Sequence, residues 1–200
     1  ANSAPALEDK MHLHQLMQAL NVAALSGGRG GFPRPGDRTK DASHDTTANV
    51  YSLLIAERMV APEQLISPMD RGWVMEYQEY DWNGYDPSSG IVWDTGFSAD
   101  LDDESNVSYA HMVLFGDRAT RWSRADVDSS FPIFSNRGPE DGEPSEASLA
   151  CLPDGTWAGH AVFGDGHVAF IGSASGAARS GGDHFFRLDD AKRHADALLG

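Results

Sequence analysis

Apolar positions follow two different periods along the chain. Near the start, Leu13, Leu16, Met17, Leu20 and Ala24 recur at helical spacing and predict an amphipathic helix over residues 7–25 with one buried stripe. Glu8 and Asp9 sit where a helix N-terminus favours negative charge. Gly27 and Gly28 can supply a left-handed cap, and Pro33 and Pro35 block resumption of the helix. Residues 29–43, rich in Gly, Pro and charge, read as a loop. A second helix follows, with Asp45 or Thr46 as N-cap and a weaker stripe of Val50, Leu53, Leu54 and Ala61, interrupted by Pro62.

Beyond residue 72 the pattern turns to strands. The aromatic run Trp73 to Trp82 predicts one strand and Val107 to Phe115 another, separated by a long ordered loop or hairpin from Asn83 to Asn106. Asp117 to Trp122 reads as a turn and a returning strand, and the Pro-, Ser- and acid-rich residues 126–148 read as a surface loop. The strongest local signal is Trp157 to Ile171, two apolar runs around Asp165-Gly166. Asp-Gly supplies the positive φ angles of a two-residue type I′ hairpin turn. That turn places Phe163 opposite Val168 and Ala161 opposite Phe170 on one apolar face, which calls for a helix to cover it. His160, Val162, Ala169 and Ile171 share the other, mixed face. Residues 173–182 read as flexible, 183–186 as a short strand and 188–199 as a terminal helix. The order predicts one α+β domain over residues 1–200, with a helical part at 7–66 and a sheet-and-loop part at 72–200.

Composition narrows the function. A formal charge of −15 disfavours nucleic acid, which needs a basic stripe, and equally an anionic membrane surface. The lone Cys151 precludes an internal disulfide, cysteine-based zinc knuckles and iron–sulfur clusters, and with no basic neighbour in sequence it reads as inert. The chain as given holds neither a membrane span nor a signal peptide.

Candidate chemistry is sparse. His12 and His14, two residues apart on a helix, point in different directions and cannot chelate together. His160, Asp165 and His167 suggest a metal-dependent hydrolase, but along the ribbon the two histidines lie roughly 13 Å apart. His111 and Asp117 remain isolated candidates, and no GxSxG, HExxH, P-loop or dinucleotide fingerprint occurs. The segment from Gly72 to Asp117 lacks Lys and Arg altogether. Within it, Asp81, Asn83 and Asp86 place oxygens as in a fragment of an EF-hand loop, and Asp100, Asp102, Asp103 and Glu104 form a second cluster. These residues are candidate Ca²⁺ ligands, set against the plainer reading of a solvated acidic surface.

Several segments, in order, carry a family resemblance. His12 to Leu20 resembles an NLxQLxxAL helix, Gly31-Phe32-Pro33 a GxFP loop, and Leu65 to Asp70 an xxCPSD turn with Ser67 in the cysteine place. Ser108-Tyr109-Ala110 resembles an SYA strand start, and Val162 to Val168, including Phe163, Asp165, Gly166 and His167, an LFxDGHV hairpin. Together they resemble the soluble part of type II secretion pseudopilins and type IV pilin-like proteins, in particular the planctomycete-type prepilin family with an H-X9-DG motif. The resemblance implies a pilin-like fold and a non-catalytic structural or binding role outside the cytoplasm. It also implies protein subunits as partners, in a homo-oligomer, a filament or a larger complex, and Ca²⁺ in a loop near the sheet. The chain departs from the family at Gly155, where the motif histidine would fall, and at His160, where asparagine is frequent. The family's hydrophobic anchor and its cleavage site are absent from the chain as given, whether removed, omitted or lost. The alternatives to a filament-type subunit are an accessory subunit of a larger extracytoplasmic complex, with Trp73, Trp82 and Trp93 as interface anchors, and a His/Asp metal-dependent hydrolase.

Overall fold

The periodic stripe at the start of the chain does form a long helix. In the computed structural model, which describes residues 3–26, 30–70, 72, 74–83, 86–100, 104–123, 128–138 and 157–172, α1 spans Ala4–Ser26. Leu13, Leu16, Met17 and Leu20 are buried along one side of it. Each such side chain contributes about 1.5–3 kcal/mol when fully removed from water. Asp9 lies on that same side, one turn before Leu13, and is also buried. It is therefore not the solvated helix-dipole charge that its position suggests.

The loop expected over 29–43 contains a short helix, α2, at Pro35–Thr39, started by proline at its first position. α3 covers Thr47–Ala56, and its N-cap is Thr46, whose hydroxyl accepts from the Asn49 N–H. Pro62 opens a separate 3₁₀ turn at Pro62–Leu65.

Among the described residues, four strands form one antiparallel sheet in the order β1-β2-β3-β4. They are β1 Tyr109–His111, β2 Pro132–Asn136, β3 Gly159–Phe163 and β4 Val168–Ile171. The sheet corrects the sequence reading in several places. Residues 74–82 form no strand; Val74 makes only an isolated bridge to Ser105. β1 is three residues long within the strand expected over 107–115. The returning strand expected over 117–122 is instead helix α4, Gly116–Ser123. β2 lies inside the stretch read as a surface loop, yet all five of its residues are buried. The strand expected at 183–186, the helix expected at 188–199, Gly155 and Cys151 lie outside the described residues.

The hairpin is present, but its turn is one residue longer than predicted. Phe163 N–H donates to the His167 carbonyl and Gly166 N–H to the Phe163 carbonyl, with Gly166 at φ 87°. This is a three-residue loop closed by a left-handed glycine, not a two-residue type I′ turn. The register becomes Val162 opposite Val168, Ala161 opposite Ala169 and His160 opposite Phe170. A slip of one residue exchanges the faces of a strand. Val168 and Phe170 therefore share a side with His160 and Val162 rather than with Phe163.

That shared side is the one α1 covers. It holds Tyr109, Asn136 and His160, all of which bond to Asp9 of α1. Further along it, Phe134 and His111 pack with Tyr51 of α3 and Trp122 of α4. The helix thus lies on the mixed face, while Phe170, expected beneath it, is 62 % exposed.

Candidate functional site

A carboxylate in a helix stripe of leucines demands partners, because an unpaired buried charge costs several kcal/mol, of order 3–5. Asp9 is 0 % exposed and has partners on both oxygens. One oxygen accepts from the Ser67 hydroxyl at 2.5 Å, the Asn136 amide at 2.9 Å and the Tyr109 hydroxyl at 3.2 Å. The other accepts from His160 Nδ1 at 2.8 Å and again from Asn136 at 3.0 Å. These donors come from β1, β2, β3 and the turn after α3, so one carboxylate ties the first helix to three strands. Burial raises the Asp9 pKa. The bonds from His160, Ser67 and Asn136, with the His160 charge, outweigh it and hold the carboxyl below its ordinary 3.8.

The surrounding backbone is built to serve this cluster. Asn136 accepts the His160 backbone N–H on its Oδ1 at 2.6 Å, which fixes which way its amide donors point. Gly159 leaves room for that arrangement: a Cβ there would meet the Trp157 ring at 2.7 Å and Asn136 Oδ1 at 3.0 Å. His12 closes the rim, with Nδ1 3.2 Å from the Ile66 carbonyl and 3.3 Å from the Tyr109 hydroxyl. Beside it, Asp70 accepts from Arg137 at 3.1 Å and from the Ser108 hydroxyl at 3.0 Å. The Ser67–Asp70 turn, which carries the resemblance to the xxCPSD segment, joins the two carboxylates: its first residue donates to Asp9 and its last is Asp70.

His111, the isolated strand candidate, is buried between Tyr51 and Trp122, with ring centroids 5.8 Å away in each case. Its Nδ1–H donates to the Met112 carbonyl at 2.7 Å, and its Nε2 has no partner among the described residues. Burial pushes its pKa down to about 4, so the ring is neutral at pH 7. His160 and His167 are not brought together. His160 turns onto Asp9, whereas His167 stacks on Phe163 at 4.5 Å and points Nδ1 at Asp165. Asp165 and Gly166 form the turn itself, and Val168 begins β4. The side chain of Asp117 lies outside the described residues.

The acidic loop is organised by one of its own carboxylates. Asp94 accepts from the Asp81 N–H at 2.8 Å, the Tyr77 hydroxyl at 2.9 Å and the Gly96 N–H at 2.8 Å. Burial, with the Asp94 hydrogen bond and charge behind it, pushes the Tyr77 pKa up to about 12. Tyr80 clips the loop to α3 by donating to the Ser52 carbonyl at 2.7 Å. Asp81 accepts from the Asn83 N–H, and Asp86 from the Ser88 N–H and hydroxyl. The oxygens proposed for Ca²⁺ at Asp81 and Asp86 thus hold local turns. Asp102 lies outside the described residues, and among those described no three His, Cys, Asp or Glu side chains, Asp100 included, gather as a metal site. Of the aromatic anchors, Trp93 is core, with its indole N–H on Asn49 at 2.9 Å, while Trp82 is exposed beneath the Arg58 guanidinium.

Sequence reasoning missed Asp9, Asn136 and Asp94. A signal for Asp9 was present, since it continues the spacing of Leu13, Leu16 and Leu20. No described helix is long and apolar enough to cross a membrane. Comparison with family models, with curated proteins and with solved structures returns no match, so the chemistry rests on this geometry alone.

Proposed function

We propose that the chain is a non-catalytic, pilin-like structural or binding subunit of an extracytoplasmic protein assembly. The observation that carries the reading is the two-sided build of α1. One side is clamped to the sheet by leucines and by Asp9, and the other presents Leu7 and Met11 near its start and Val22 and Leu25 near its end to solvent, with His14 and Gln18 between them. A helix held rigidly to its own sheet while leaving large apolar side chains open on its other side is suited to docking against another subunit. Both oxygens of the Asp9 carboxylate are taken up by donors from three strands and a turn, an arrangement that joins elements. The segment order resembling pilin-like proteins supports the same reading.

The test is a photoreactive residue at Val22 or Leu25, in cells that make the protein, with the same residue at exposed Lys40 as control. The expected result is a crosslinked species of defined mass from the α1 positions alone, in a fraction outside the cytoplasm. Uncrosslinked chain at both α1 positions, or a cytoplasmic protein, overturns the proposal.

A further inference from the structure

The sheet ends at β4, and among the described residues β4 has a strand partner on one side only. The phase of the hairpin determines what its free side offers. The Phe163 N–H to His167 C=O bond marks that pair as hydrogen-bonded. Alternation then makes Ala161–Ala169 and Gly159–Ile171 hydrogen-bonded pairs, and Val162–Val168 and His160–Phe170 non-hydrogen-bonded ones. Val168 and Phe170 consequently turn their backbone N–H and C=O groups outward, toward the open edge.

The same two residues project their side chains to the α1 side of the sheet, where a groove of about 620 Å³ lies between α1 and the start of β4 at the hairpin turn. Leu7 and Met11 line it from the helix and Val168 from the strand, with Lys10, His14 and His167 around the rim. Leu7 is 59 % and Met11 53 % exposed, and Phe170 continues the apolar surface beyond Val168. Edge strands are normally guarded by inward charges, prolines or bulges. Phe170 provides no such guard on an edge that has outward donors and acceptors.

From this juxtaposition we infer that the groove between α1 and β4 is a peptide-binding site, which takes an extended segment as a fifth strand on the β4 edge. Main-chain bonds to Val168 and Phe170 align the segment. Alternate apolar side chains enter the groove over Leu7, Met11 and Val168. The rim selects the charge: Lys10 sets an ammonium group there, beside the His14 and His167 rings, in a chain whose net charge is −15. Asp165 is the one acidic group at the hairpin tip, and it is turned onto His167. The segment therefore carries a carboxylate, from an acidic side chain or a chain end, beside its apolar residues. A second copy of this chain fits less well, because a symmetric β4-to-β4 pairing would bring two Lys10 ammonium groups and two strongly acidic bodies together. The site shares Leu7 and Met11 with the α1 surface of the assembly reading, but crosslinking at Val22 and Leu25 probes the far end of that helix, so the two tests fail separately.

The experiment is selection of displayed random peptides on the purified chain, followed by fluorescence anisotropy with the enriched sequences. The expected peptides alternate apolar residues and contain a carboxylate. N-methylation of alternate backbone amides should abolish binding, and neutralising the carboxylate should weaken it. Met11→Lys and Phe170→Lys should each weaken binding by about tenfold or more, the scale of a hot-spot contact, with the thermal midpoint unchanged. No enrichment over the Met11→Lys chain overturns the inference, as does binding indifferent to N-methylation. Sedimentation showing a dimer dissolved by Phe170→Lys would identify a second copy as the occupant and overturn it too. Competition by a synthetic peptide of residues 183–200 would do the same in favour of the chain's own C-terminal stretch.

Discussion

Replacing Asp9 tests whether the buried polar cluster holds α1 to the sheet. Asp9→Leu keeps the bulk of the side chain and removes the acceptors. Four donors lose their partner: His160 Nδ1–H, Asn136 Nδ2–H, and the hydroxyls of Ser67 and Tyr109. The Ser67 O–H can turn to the Tyr109 oxygen, and the Tyr109 O–H can turn to His12 Nδ1, 3.3 Å away, once that nitrogen gives up its N–H contact with the Ile66 carbonyl. His160 Nδ1–H and the Asn136 amide have no other acceptor among the described residues. Each stranded buried donor costs about 1–3 kcal/mol, so the substitution should cost about 3–5 kcal/mol, the range for breaking a buried ion pair. Asp9→Asn keeps one acceptor but faces its own amide N–H groups toward donors, and should cost about 1–3 kcal/mol.

Urea unfolding followed by tryptophan fluorescence reads this directly, because Trp93, Trp122 and Trp157 are all fully buried. The pH dependence gives a second handle. Asp9 has a folded pKa below 3.8, so its contribution is complete above the unfolded value and is lost as pH falls through the folded one. Asp9→Asn should therefore flatten the acid limb of the stability profile as well as lower the plateau. If Asp9→Leu and Asp9→Asn both lie within about 0.5 kcal/mol of the parent, the carboxylate is not the tie and the reasoning fails. A cycle with His160→Gln should show a coupling of at least about 0.5 kcal/mol; strict additivity would separate the histidine from the clamp.

Leu16→Ala, at a fully buried position on α1, should lower stability by about 2–5 kcal/mol in the same urea titration. His111 has a folded pKa near 4 against 6.5 unfolded, so below 6.5 the unfolded chain binds the extra proton. Stability should fall with pH between those values by up to about 1.4 kcal/mol per unit, and His111→Phe should remove that slope. Adding millimolar Ca²⁺ to chelator-treated protein should leave the thermal midpoint in place, since Asp81 and Asp86 already cap local turns; a rise of several degrees would restore the loop as a calcium site. Gly166→Ala should cost about 1 kcal/mol, because φ 87° suits glycine alone, and thermal melting would detect it.

The parts of this fold that the sequence made legible are those where one period acts over many residues. The α1 stripe runs for several turns, and no short-range contact competes with it, so both the helix and its buried leucines follow from spacing. β2 is the opposite case. Pro132-Ile133-Phe134-Ser135-Asn136 is five residues long and follows a Pro-, Ser- and acid-rich context, and its burial comes from Tyr109 and His160 on either side of it. Nothing local announces a central strand there. α4 misled for a related reason: Gly116–Ser123 has a single fully buried aromatic, Trp122, whose indole donates to the distant Pro33 carbonyl at 3.0 Å. Residues 74–82 have strand-like composition, but their tyrosines are spent on Asp94 and Ser52 rather than on a ladder.

The hairpin shows how a one-residue error propagates to function. Asp165-Gly166 announced a turn correctly, but whether two or three residues form it depends on Gly164, whose N–H is claimed by the Phe131 carbonyl at 3.0 Å. That contact lies outside the hairpin and draws Gly164 into the loop. Once the turn has three residues, Phe170 crosses to the side of His160, and the face that α1 must cover becomes the one carrying Asn136, Tyr109 and His160. An all-apolar helix stripe could not satisfy those groups; Asp9, placed one turn before Leu13, does. The polar residue in the stripe and the polar residues on the sheet face are therefore mutually required, and either set alone would be a defect. The same crossing leaves Phe170 beyond the reach of α1, beside an edge with outward-pointing backbone groups. The contact that sets the turn length thus also opens the groove proposed to receive a peptide.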